Sequence, residues 1–153
     1  DASTFFYQTT VISIFTDTWF YWWHRLLHTR KLYELHRHHH SFRPTTTLSY
    51  VAMTLFEFVF ENLAYFVAPP VLWSAAGAKV SVWSWGFSNM FLLVWASLFH
   101  SESLTFSTAQ FNINGPREHQ LHHKFGRKNG NFSLLFLHWD KLCGTYIPPN
   151  KND

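Results

Sequence analysis

Cys143 is the only cysteine in the chain, so neither a disulfide framework nor a thiolate metal site can form within it. A lone cysteine is most often just a small buried residue. Charge is also scarce. Asp, Glu, Lys and Arg make up 14% of the residues, against roughly 25% in an ordinary soluble domain. There is no glycine-rich phosphate loop and no strained serine turn of the hydrolase kind. His-Glu-x-x-His is missing, which leaves a zincin protease unsupported. No Glu is followed three residues later by His, so the motif of soluble carboxylate-bridged di-iron bundles is absent too. The apolar start of the chain does not read as a secretory signal, because it runs on into residues that carry chemistry.

The chain is instead rich in apolar and aromatic residues. Aromatics reach 20%, with 17 Phe and 8 Trp. The mean hydropathy of −0.10 hides this, since 11 His, together with Trp and Tyr, pull the average down. Local runs are more telling than the mean. Thr4 to Trp23 holds one charge, Asp17, and continues to His28 without Gly or Pro; it reads as one long helix crossing a membrane. A second helix is expected from about Thr46 to Val67, ending at Pro69-Pro70 and carrying Glu57, Glu61 and Asn62. A third, Val80 to Phe99, holds no charge, and Gly86, Ser88, Ala96 and Ser97 would let a neighbouring helix approach closely. The expected fold is an all-α integral membrane bundle of three to four spanning helices, with a cytosolic helical cap. Residues 1–153 are expected to form a single domain, a segment trimmed of an N-terminal helix.

Basic residues give the orientation. Arg25, Arg30, Lys31, Arg37, Arg43, Arg117, Lys124, Arg127, Lys128 and Lys141 fall on one side, Lys79 lies in the opposite turn, and Lys151 is terminal. The positive-inside rule places the first side in the cytoplasm. These cations flank membrane exits, so anionic lipid rather than nucleic acid is the expected partner.

That same side carries the histidines. His24-x-x-x-His28 puts two imidazoles on one helix face. His36, His39 and His40 follow i, i+3, i+4 spacing with His38 pointing away, and His119, His122 and His123 repeat that spacing. Eight clustered imidazoles exceed the four ligands of one tetrahedral zinc and suit two metal ions. His100, at the end of the third apolar helix, is a ninth candidate. Asp17, two turns before His24, is placed to accept a hydrogen bond from a ligand imidazole and fix its tautomer. His138-Trp139-Asp140 supplies two-thirds of a facial triad for mononuclear iron, but would leave the eight clustered histidines unexplained.

The chain resembles the fatty acid hydroxylase and sterol desaturase superfamily of membrane di-iron enzymes. The residues that carry the resemblance are His24-Arg25-x-x-His28, Leu32-Tyr33-x-x-His36-x-x-His39-His40-Ser41 and His119-x-x-His122-His123, followed by Asn131-Phe132 and Trp139-Asp140-Lys141-x-x-Gly144-Thr145. Glu57 and His100-Ser101 match further marks, whereas Glu102-Ser103 stands where the family has Gly. The resemblance implies two iron ions held by His24, His28, His36, His39, His40, His119, His122 and His123, with His100 a ninth ligand and Asp17 and Asp140 behind them. It further implies molecular oxygen as co-substrate and electrons from an external donor such as cytochrome b5 or a ferredoxin. The expected reaction is hydroxylation or desaturation of a C–H bond in a sterol or fatty acyl lipid. The expected location is the endoplasmic reticulum membrane in a eukaryote or the plasma membrane in a bacterium. The rival readings are a metal-dependent membrane hydrolase and a non-enzymatic metal-binding protein.

Overall fold

The structure is a computed structural model that describes residues 1–126 and 130–150. Arg127, Lys128 and Lys151, counted above among the basic residues, lie outside the described residues. The described chain is helical, without a strand; Ile113 and Phe136 form one isolated antiparallel bridge.

Helix α1 spans Ala2–Leu27, opened by Asp1, whose carboxylate accepts from Thr4 N at 2.8 Å. Its length agrees with the expected first helix. Its inward face is unexpectedly polar, since Gln8, Ser13, Thr16 and Asp17 are buried. Two other helical stretches, Leu55–Ala75 and Val82–Phe99, are long and apolar enough to cross a membrane; α1 matches them in length but not in apolar character.

The segment after α1 folds more finely than its spacing suggested. A short helix α2 (Tyr33–His36) is followed by separate 3-10 turns at His39–Ser41 and Ser49–Val51. His36, His39 and His40 therefore do not ride on one continuous helix. The next long helix begins at Leu55, not Thr46. Thr54 and Glu57 form a reciprocal capping box that fixes this start.

This helix also continues through Pro69-Pro70. It comprises α3 (Leu55–Asn62), a π-helical turn (Leu63–Val67) and α4 (Ala68–Ala75). A proline lacks the N–H that would bond the carbonyl four residues earlier. For Pro69 that carbonyl belongs to Tyr65, and it is taken instead by Trp85 Nε1 at 2.8 Å and Asn89 Nδ2 at 2.9 Å. Thr16 Oγ1 reaches Ala64 O in the same turn at 3.4 Å. Side chains of α1 and of the helix Val82–Phe99 thus take the role of the missing donors to these carbonyls.

Helix α5 (Val82–Phe99) packs mainly on α1. Ser88 and Ala96 are buried at helix contacts as expected, and Ser88 Oγ donates to Thr9 O at 3.1 Å. Gly86 instead faces open space. Helix α6 (Pro116–Phe125) starts where Asn114-Gly115-Pro116 breaks the chain, with the buried Glu118 carboxylate accepting from Gly115 N at 3.1 Å. The chain then returns beneath α1 through residues 130–137 to α7 (His138–Leu142). Phe20, Tyr65, Leu92, Ala96, Phe99, Leu134 and Leu135 form the buried core, which joins α1, the π turn, α5 and this return segment.

Candidate metal centre

Nine buried imidazoles converge in two groups. The first contains His24, His28, His36, His40 and His122; the second contains His39, His100, His119 and His123. Within each group the ligand-capable atoms lie within 4.8 Å of one another. Each group draws on more than one of the sequence clusters. His36 and His40, four residues apart, join one group and His39 the other, and α6 repeats this division. On α6, His122 faces the first group and His119 and His123 the second.

The ring nitrogens show what these groups can hold. His24 Nδ1 donates to Phe132 O at 2.9 Å, His122 Nδ1 to Gly130 O at 2.9 Å and His100 Nδ1 to Ala96 O at 2.6 Å. His36 Nδ1 meets the Glu57 carboxylate. A carbonyl only accepts, so Nδ1 carries the proton in each ring bound this way, and a neutral ring then presents a bare lone pair at Nε2. The bare nitrogens of His24 and His36 face each other at 3.1 Å, and that of His100 lies 2.9 Å from His119 Nε2 and 3.1 Å from His39 Nε2. Opposed lone pairs such as those of His24 and His36 repel unless a cation lies between them. Separations of about 3 Å suit nitrogens that share one ion at about 2.0–2.1 Å. His122 Nε2 has no hydrogen-bond partner among the described residues, another buried lone pair suited to a cation.

Burial keeps the rings neutral. Desolvation pushes His40 and His100 down to about 3, and neighbouring histidines lower His40 further. Desolvation and mutual repulsion hold His36, His39, His119, His122 and His123 well below the ordinary imidazole range. Neutral imidazole is the form that binds a metal.

Asp17 does not touch a cluster imidazole. Its carboxylate accepts from Leu135 N at 2.7 Å and Phe136 N at 3.3 Å. Seven helical residues place it about 10 Å along the axis from His24, out of reach. Asp140 accepts from Phe132 N at 3.0 Å, Ser133 N at 2.9 Å and Thr145 Oγ1 at 2.7 Å. It thereby holds the segment whose Phe132 carbonyl anchors His24. His38 is exposed, and His138 lies outside both groups, 4.0 Å from Asp17. The anchoring carbonyls of Gly130, Phe132 and Ala96 are backbone groups, invisible to a search for chemistry-bearing side chains. The contact between Glu57 and His36 crosses 21 positions and leaves no spacing signal.

Two buried groups of imidazoles, set among helices and a return loop, define a helical protein with a candidate metal centre built from histidine. The family model for fatty acid hydroxylases matches residues 9–145, and the chain belongs to that family. It is 32% identical to a Delta(7)-sterol 5(6)-desaturase of Gibberella zeae, covering 95% of this chain and 39% of the relative. It is 31% identical to a sphingolipid C4-hydroxylase of Schizosaccharomyces pombe, covering 87% of this chain and 45% of the relative. It is 26% identical to a methylsterol monooxygenase of Aspergillus fumigatus, covering 100% of this chain and 51% of the relative. The chain thus spans about two-fifths to half the length of these relatives. No solved structure matches it.

Proposed function

We propose that this chain is the metal-binding core of a membrane enzyme that uses molecular oxygen to hydroxylate or desaturate a lipid C–H bond, in a sterol, sphingolipid or fatty acyl chain. The observation that carries the reading is the convergence of nine buried imidazoles in two groups, with the bare Nε2 atoms of His24 and His36 facing each other. His24, His28, His36, His40 and His122 would hold one iron, and His39, His100, His119 and His123 the other. An unactivated C–H bond gives acids, bases and nucleophiles nothing to act on, and the irons supply the redox chemistry of oxygen that its cleavage requires.

The protein's own residues prepare that centre. Carbonyls of Phe132, Gly130 and Ala96 keep the proton on Nδ1 of His24, His122 and His100, and Glu57 does so for His36. Asp140 and Asp17 brace the segment that carries Phe132. Phe20, Phe99 and Ala96 wall the inner side of the centre with apolar surface that limits water. Exposed Leu55, Val82, Trp83 and Met90 on the two apolar helices suit contact with lipid. The histidine side faces the cytoplasm, where an electron donor such as cytochrome b5 or a ferredoxin has access. The membrane is the endoplasmic reticulum in a eukaryote and the plasma membrane in a bacterium.

The test is metal content by mass spectrometry on detergent-purified protein, together with oxygen-dependent product formation from lipid. The expected result is two irons per chain, and loss of one iron and of product in His39→Ala and in His122→Ala with helical circular dichroism retained. Full activity in either variant overturns the assignment. Product formed without oxygen indicates a hydrolase, and metal without oxygen consumption under any reductant indicates a binding protein.

A further inference from the structure

A narrow cavity of about 20 Å³ lies against both imidazole groups, room for one hydroxyl or methylene. His24 and His36 of the first group and His39, His100 and His119 of the second line it. Tyr50, Met53, Glu57, Glu61, Phe20 and Phe99 share the lining. It is therefore the place from which a bound lipid would meet the candidate metal centre.

The two carboxylates in its wall differ. Glu57 is committed, to Thr54 N in the capping box and to His36 Nδ1. Glu61, four residues on and so on the same helix face, makes no hydrogen bond or ion pair among the described residues. No other Asp, Glu, Lys or Arg occurs in Leu55–Ala75, one of the two stretches apolar enough to cross a membrane. An ionisable group in such a helix is costly unless something polar meets it, and it marks a functional contact by default. The π turn that begins at Leu63, one turn type that recurs at functional sites, lies directly after it.

We propose that Glu61 is a specificity-determining residue that accepts a hydrogen bond from the hydroxyl of a hydroxylated lipid, a sterol or a sphingoid base. The proposal rests on the lipid-oxidation reading above. Glu57 touches His36, and Glu61 follows one turn away, about 5.4 Å along the helix. A lipid held by its hydroxyl at Glu61 presents to the imidazole groups a carbon only a few bonds from that hydroxyl. The site thereby selects position along the lipid and disfavours a plain hydrocarbon, which would leave the carboxyl without a partner.

The experiment measures binding, not turnover. Detergent-purified protein is given radiolabelled 5α-cholestan-3β-ol or sphinganine, with 5α-cholestane and the sterol 3-methyl ether as competitors. One of the two alcohols is expected to bind the wild type, and cholestane and the ether to compete about ten-fold less well than cholestanol if the sterol is the ligand. For sphinganine the matching comparison is its O-methyl ether. Glu61→Leu is expected to lose the preference for alcohol while its affinity for the competitor stays the same. Glu61→Gln, which keeps an accepting oxygen, is expected to retain most of it. Equal binding of alcohol and competitor by the wild type, an undiminished preference in Glu61→Leu, or failure of both alcohols to bind overturns the proposal. Metal content is read on the same samples. Loss of metal in Glu61→Leu would make Glu61 a support of the centre and overturn its role toward lipid. Absence of metal from the wild type would overturn the oxidation reading, while the alcohol preference stands or falls on its own.

Discussion

The two imidazole groups are alike in chemistry and unlike in how they are held. In the first, His24, His36 and His122 each have Nδ1 tied to a fixed acceptor, namely the Phe132 carbonyl, the Glu57 carboxylate and the Gly130 carbonyl, while Nδ1 of His40 has no partner among the described residues. In the second, His100 is tied to Ala96 O, whereas Nδ1 of His119 and of His123 has no partner among the described residues. More of the first group is tethered, by acceptors reaching from α3 and from the return segment. The second would depend more on a bound metal for its final arrangement. A pre-organised group loses less rotamer freedom on binding and should fill first.

Ways to break the comparison begin with the ligands. His24→Ala and His119→Ala should each lower metal content from two ions to one per chain, the first emptying the tethered group and the second the looser one. Mass spectrometry of the purified variants checks this, and loss of both ions from either variant would show that the groups fill as a unit. Next, Glu57→Gln should weaken metal binding in the first group by about 10–100-fold, as removal of a charged partner from a ligand imidazole does. Competition with a chelator measures it, and a drop confined to the second group would invert the comparison. Asp140→Asn should cost about 1.5–3 kcal/mol of stability through its two backbone N–H partners and Thr145. Thermal melting reads that loss, and weaker metal binding by the first group alone should accompany it, because Asp140 positions Phe132.

Acid acts on both groups at once. In metal-free protein the folded state keeps His40 and His100 near 3, while unfolded histidine titrates near 6.5. The unfolded chain therefore binds more protons between these values, and stability falls as pH drops from about 6.5 toward about 3. Melting of metal-free protein across this window checks the sign, and bound metal should flatten the slope.

Much of the centre could be read from spacing. His24/His28, His36/His39/His40 and His119/His122/His123 all carry helical face periods, and the structure brings all eight together with His100. Their division was not legible, because i, i+3 and i+4 share one broad helix face, and which rings meet which depends on how α1, α5 and α6 are set against one another. Asp17 was misread because a shared helix face says nothing of axial distance. Pro69-Pro70 suggested an end to the helix because the groups that rescue Tyr65 O, on Trp85 and Asn89, lie 20 and 24 positions away. Gly86 looked like a packing residue by type alone, yet the contact lies on the face of Ser88 and Ala96.

The π turn at Leu63–Val67 has a consequence for how such a chain can change over generations. It accommodates one extra residue within an otherwise regular helix. Deleting a single residue there would restore the ordinary period without turning the two halves of the helix against each other, because the turn absorbs the extra residue locally. Glu57 and Glu61 on one side of it and α4 on the other would keep their faces. One codon gained or lost at this point is thus absorbed, whereas one gained or lost in α3 or α4 would rotate the two halves by about 100°.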